Sequence, residues 1–214
     1  MKNHLKLLFG LLALSTGFFS SCEETKEADP YANWDVRNSH FIDSIADVAK
    51  ANADGTWVRL RSYTQTESTP GTSIPAEGKV GDYIYVRKLF SAEGENTTLA
   101  LYSDSVAVHY RGKLINGTAF DQSFSEVQLD STLAQPTSFA VKGLTTGFCT
   151  AIQNMREADR SVSDWRTKGD HWMVYIPYEL GYGTSGSGST IPGYSALIFD
   201  IKLVSRWAAG EKQP

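Results

Sequence analysis

Cysteine is nearly absent from this chain. Cys22 and Cys149 are the two in 214 residues, and so low a count excludes a disulfide framework. A basic stripe is missing too: with a formal net charge of −4, the chain lacks the electrostatic footprint that a phosphate backbone demands, which excludes a nucleic-acid binder. The mild acidic balance serves solubility. No cysteine or histidine pair falls at ligand spacing, so no metal site is expected; His109 alternates outward on its strand and His171 opens another. Cys149 has no partnering base and reads as an inert buried thiol rather than a nucleophile. Gly181 to Gly186 spells G-x-G-x-x-G, yet Ile191-Pro192 follows where a dinucleotide site needs a helix. Ser185, Ser187 and Ser189 lack the frame of a nucleophile elbow and read as flexible loop.

What the chain does have, 41% hydrophobic and 12% aromatic residues, is enough for one domain with a real core and an N-terminal extension. Lys2 and Lys6 precede an apolar run from Leu7 to Leu14, continued to Phe19. That run is too short for a spanning helix and suits the apolar stretch of a signal peptide. It ends in Phe19-Ser20-Ser21-Cys22. Small residues just before a cysteine resemble a bacterial lipobox, which would leave Cys22 as a lipidated N-terminus and anchor the protein without any spanning helix. A plain secretory signal with an incidental cysteine fits the same residues. The expected organisation is a signal peptide over 1–21, Cys22 and a polar tether over 22–37, an extension over 38–103, a folded domain over 104–207 and a tail over 208–214.

In the extension, Phe41, Ile45, Val48 and Ala49 share one face of a short helix ending near Asn52 to Gly55. The periodicity predicts strands from Trp57 to Tyr63 and Tyr83 to Leu89, acting as edge strands, with a loop from Thr64 to Val80. Further on, Val106, Val108 and Tyr110 alternate with Ala107, His109 and Arg111, the period of a half-buried strand. Asn116-Gly117 suits a two-residue hairpin that returns through Phe120 and Asp121. Strands are also expected at Thr137 to Val141, His171 to Ile176 and Ala196 to Val204. Phe148, Ala151, Ile152 and Met155 recur at helical spacing between Thr146 and Met155. Near the end, YGTSGSGSTIPGYSALIFD places a loop tyrosine, Tyr182, ahead of a strand carrying Phe199.

The strings V-x-V-H-Y-x-G, N-G-T-x-F-D and Y-G…I-P-x-x-A-x-L-I-F-D, in this order, resemble the signature of the FKBP-type peptidyl-prolyl isomerases over about Asp104 to Trp207. The resemblance implies an α+β fold: an antiparallel curved sheet wrapped around a short central helix, here with a helix/strand extension in front. It also implies roles. Tyr110, Phe120 and Phe199 are expected as cavity wall, Asp121 as a carboxylate at its edge, and Tyr182 as the hydroxyl that holds a substrate carbonyl. Phe139, Leu144, Thr145, Phe148 and Ile191 are expected to contact substrate, the Thr145 N–H as a second carbonyl donor. Phe148 stands where the family usually has tryptophan, Thr137 replaces an aromatic in P-F-x-F, and Gly193-Tyr194 follow Ile191-Pro192 where a second proline is common. Gln122 to Pro136 and Arg156 to Lys168 are longer than in a minimal member, with Asp159, Arg160, Asp164 and Arg166 expected on the surface.

The implied activity is isomerisation of X-Pro bonds in exported proteins, without a cofactor, by a protein lipid-anchored in a bacterial envelope. Its implied partners are proline-containing polypeptides and the membrane. Two other readings stay open: a binding module that keeps the pocket but not turnover, and an envelope lipoprotein in which the fold is only a scaffold.

Overall fold

In a computed structural model, residues 29–65, 77–124 and 135–214 are described. The signal segment, Cys22 and most of the insertion after Gln122 lie outside them. In the unit Met1–Ala32, residues 29–32 make a turn in which the Ala32 N–H donates to the Asp29 carbonyl. The fold proper is the unit Asn33–Pro214.

It opens with α1, Trp34–Ala51, bracketed by Asn33 and Asn52 in the left-handed conformation that asparagine tolerates. The helix therefore takes in Trp34 to Arg37, expected in the tether. Its buried residues are Trp34, Asn38, Ile42 and Ala49, whereas Val48, expected on the apolar face, is 46% exposed. Among the described residues no helix is long and apolar enough to cross a membrane.

Nine strands follow among the described residues: β1 Trp57–Arg61, β2 Tyr83–Phe90, β3 Thr98–Leu99, β4 Ser105–Lys113, β5 Ala119–Gln122, β6 Thr137–Ala140, β7 Arg156–Glu157, β8 His171–Ile176 and β9 Leu197–Trp207. Seven form one antiparallel sheet in the order β1-β2-β8-β9-β4-β5, with β6 also paired to β4. β4 thus meets β9 along one edge and shares its other edge, Ser105–Val108 with β6 and Arg111–Lys113 with β5. β1 is an edge strand as expected; β2 lies between β1 and β8.

Both faces of the first half of β2, Tyr83 to Val86, are buried, whereas Arg87 to Phe90 are exposed. Ile84 and Val86 join the main core with Val108, Val174, Leu197 and Ile201, against the central helix α2, Thr146–Asn154. Tyr83 and Tyr85 face the other way, into a second cluster with Ile42 and Ala49 of α1. α1 therefore covers part of the sheet's outer face, except that Trp34 belongs to the main core.

Two local expectations change. The β4–β5 turn is not a two-residue loop: Leu114 and Thr118 close it, only Gly117 takes a positive φ (+86°), and the register slips between Gly112 and Lys113, a three-residue turn with a bulge. The segment from Arg156 to Lys168 is not wholly superficial. Its β7 pairs with β3, and the carboxylate of Asp159, 8% exposed, accepts hydrogen bonds from the backbone and side chains of Ser161 and Asn96.

Candidate active site

Between α2 and the sheet opens a cavity of about 220 Å³, lined by Tyr110, Phe120, Asp121, Phe139, Gly143, Leu144, Thr145, Phe148, Tyr182 and Phe199. Each element delivers its share by its own periodicity. Alternation on β4 points Tyr110 to the side of Val106 and Val108, and alternation on β9 puts Phe199 beside Leu197 and Ile201. The hairpin carries Phe120 and Asp121 to the rim, β6 gives Phe139, and the first turn of α2 drops Phe148 to the floor.

The rings interlock edge to face, the arrangement that aromatic quadrupoles favour. Phe148, 4% exposed, lies 4.8 Å from Phe199, 6.2 Å from Tyr110 and 6.3 Å from Phe139 between ring centroids. Phe120 meets Phe199 at 5.4 Å and Tyr110 meets Phe139 at 5.4 Å. The Phe120–Phe199 pair exists because residue 112 has no side chain: a Cβ there would sit 2.4 Å from Phe120 Cζ and 2.7 Å from Phe199 Cε1.

Polar groups stand at the edge. Burial, together with hydrogen bonding to the Asp121 carboxylate and the proximity of Tyr182, pushes the Tyr110 phenol well above its ordinary range, so it stays a neutral donor. Tyr182 is 39% exposed at the mouth. Thr145 begins α2 with no side-chain cap, leaving first-turn N–H groups open to an acceptor beside the cavity. The site is thus an apolar floor with a hydroxyl and backbone donors on the rim. It can hold a compact apolar ring and orient a carbonyl.

Nine of the ten expected pocket residues line the cavity; Ile191 does not. Its side chain, 7% exposed, packs in the main core, and its backbone exchanges hydrogen bonds with Ser187. Thr137, half-buried on β6, is also outside the lining. The loop from Tyr182 to Ser195 is not loose. Gly186 N–H donates to Tyr182 O, Tyr194 N–H to Gly183 O, and Gly193 passes so close to Thr184 that a Cβ would lie 1.9 Å from its carbonyl oxygen. Gly193 and Tyr194 therefore both take part in the loop's own packing. Sequence reasoning missed Gly143, which follows from its place beside Leu144, and Gly112, quoted in the motif without a role.

The remaining residues singled out in the sequence are placed as follows. Cys149 is fully buried and its thiol is pushed up to about 11 by that burial, leaving it inert. The G-x-G-x-x-G run leads into turns, with no helix. His109 does point away from the main core but is 2% exposed, not solvated. No group of three potential metal ligands occurs among the described residues. A larger cleft, about 320 Å³ around Glu157, Arg160 and Arg206, is polar, and these side chains pair with one another.

Residues 97–204 match the profile of the FKBP-type peptidyl-prolyl cis-trans isomerases. The chain is 37% identical over 114 residues to the macrophage infectivity potentiator of Trypanosoma cruzi, covering 53% of this chain and 49% of that protein. It is 31% identical over 142 residues to the peptidyl-prolyl cis-trans isomerase Mip of Coxiella burnetii, covering 66% and 50%. The chain spans about half the length of these relatives. A crystal structure of a peptidyl-prolyl cis-trans isomerase from Pseudomonas syringae superposes with a TM-score of 0.51 at 23% identity, covering 84% of this chain and 98% of that one, which shows a shared fold. This protein belongs to the FKBP-type peptidyl-prolyl cis-trans isomerase family.

Proposed function

We propose that this protein catalyses cis–trans isomerisation of X-Pro bonds in exported polypeptides, held in a bacterial cell envelope by a lipid on Cys22. Rotation about the bond costs about 18–20 kcal/mol because the twisted amide loses resonance. No covalent step and no cofactor is needed to lower that barrier. A site need only bind the twisted amide better than either planar form, with apolar walls around the prolyl ring and donors for the carbonyl oxygens. The observation that carries this reading is the interlocked floor of Phe148, Phe199 and Tyr110 with Tyr182 at its mouth. A floor without a charged base suits a reaction that moves no proton. The Tyr182 hydroxyl and the Thr145 N–H would hold the two carbonyls, and Asp121 would keep the Tyr110 phenol oriented.

A protease-coupled assay on a proline peptide tests it: micromolar protein accelerates isomerisation, and Tyr182→Phe or Asp121→Leu slows it several-fold. Turnover no faster than in buffer would refute catalysis. Peptide binding without turnover would select the binding-module reading, which Phe148 in place of the usual tryptophan favours. The anchor rests on the Phe19-Ser20-Ser21-Cys22 pattern. Mass spectrometry of the mature N-terminus checks it, since an unacylated Cys22 or cleavage elsewhere would remove it.

A further inference from the structure

Two side chains of α1 reach across the fold to the loop that carries Tyr182. The Trp34 indole N–H donates to Ser195 Oγ at 2.8 Å, and the Ser195 hydroxyl donates onward to the Pro192 carbonyl at 2.6 Å. One turn along the helix, Asn38 Oδ1 accepts from the Ala196 N–H at 2.8 Å while its Nδ2 donates to the Trp34 carbonyl at 2.6 Å. Partners in these contacts stand 161 and 158 residues apart in the chain. All are sealed from solvent: Trp34 is 6% exposed, Asn38 2%, Ser195 3% and Ala196 1%. A buried group that loses such a partner has no water to replace it.

From Ser195 the connection runs to the site in two steps. Tyr194, beside it, holds φ +62°, a left-handed conformation that a bulky residue keeps only where its surroundings over-determine it. Its N–H donates to Gly183 O at 3.0 Å. Gly183 and Gly181, the two neighbours of Tyr182, both donate to Tyr178 O, at 2.8 and 3.1 Å, and the Tyr178 ring lies 5.2 Å from that of Tyr194. Apolar contact through Ile42 and Ala49 already seats the helix on the sheet. The Trp34 ring packs in the main core, while its indole N–H and the Asn38 amide oxygen tie the helix to the loop.

We infer that α1 is a strap that sets the position of Tyr182 over the cavity, with Trp34, Asn38 and Ser195 as positioning residues for the isomerase reaction. The inference rests on the reading of the cavity given above, and it gives the extension a role in the site although it lies ahead of the matched domain. Trp34→Phe keeps a ring in the core and removes the donor; Ser195→Ala removes the hydroxyl. In the full chain each change lowers kcat/KM on the proline peptide at least fivefold, and the double variant falls little further, because both break one connection. Backbone NMR then shows line broadening at Gly181 to Tyr194 with α2 signals unchanged. A general loss of stability would instead disturb both regions. If both single variants keep kcat/KM within twofold of the parent, or if loop and α2 signals change together, the strap is refuted. Should Trp34→Phe not fold, Ser195→Ala alone decides. Should the parent itself show no turnover, that failure belongs to the functional reading; the strap then stands or falls on whether the loop signals broaden in the variants.

Discussion

Replacing Gly112 by alanine tests how closely the site depends on ring placement. Gly112 is not among the residues at positive φ, so its backbone accepts alanine and the effect is purely one of space. The added Cβ meets Phe120 Cζ at 2.4 Å and Phe199 Cε1 at 2.7 Å, whereas ordinary contact begins at 3.4 Å. Phe120 must therefore retreat by about 1.0 Å and Phe199 by about 0.7 Å. Phe199 has little room, since Phe148 already packs against it at 4.8 Å between ring centroids. Overpacking of this kind costs about 1–3 kcal/mol of stability. Losing the edge-to-face pair removes about 0.5–1.5 kcal/mol of it. Catalysis should suffer more, because misplacing a binding wall by 1 Å costs up to about 100-fold. The expected result for Gly112→Ala is kcat/KM lowered by about 10- to 100-fold in the protease-coupled assay, with a folded circular dichroism spectrum. An alanine variant within twofold of the parent would show that the Phe120–Phe199 pair does not shape the productive cavity.

Phe148→Ala removes the ring at the cavity floor and should cost about 3–5 kcal/mol in urea unfolding; a cost under about 1 kcal/mol would mean that the floor collapses without loss. His109 is held below its ordinary pKa first by burial and then by Lys202. As pH falls, the unfolded chain takes up a proton near 6.5 while the native state resists, so stability is full above about pH 6.5 and declines below it. The urea midpoint should drop between about pH 7.5 and 5.5, and His109→Gln should shrink that drop; an equal drop in both would place the sensitivity elsewhere. Cys149 should resist thiol reagents at neutral pH in the native state and react on unfolding, and rapid native labelling would contradict its burial.

The strands were legible because alternation is local. Val106, Val108 and Tyr110 on one side of β4, and Leu197, Phe199 and Ile201 on one side of β9, declare the main-core face in the sequence itself. Alternation does not say whether the opposite face is wet. His109 lies on the side that alternation gives it, yet that side is covered: neighbouring Arg111 donates to Phe124 O and stacks on its ring, and His109 itself is buried. The same limit explains β2, whose Tyr83 and Tyr85 give an outward pattern that only α1 makes dry. On α1, Val48 and Ile42 are equally apolar, and only the docked sheet distinguishes them.

The site shows a second limit. Its rings could be recognised because residues with a shared task recur in a recognisable order, but what lets them fit is set by approach distances that no residue type announces. Gly112 looks like any strand glycine until Phe120 and Phe199 close over it, and Gly193 looks like slack until Thr184 crosses it. Ser195 and Trp34 carry no mutual signal across 161 positions. Chemistry-bearing side chains are thus readable from sequence while their supports are not, because a support is defined by what it excludes or holds in three dimensions. It follows that substitutions at Gly112, Gly193 and Ser195 should damage function more than their chemical modesty suggests, and that swapping one surface charge in the polar cleft near Arg160 should damage it less.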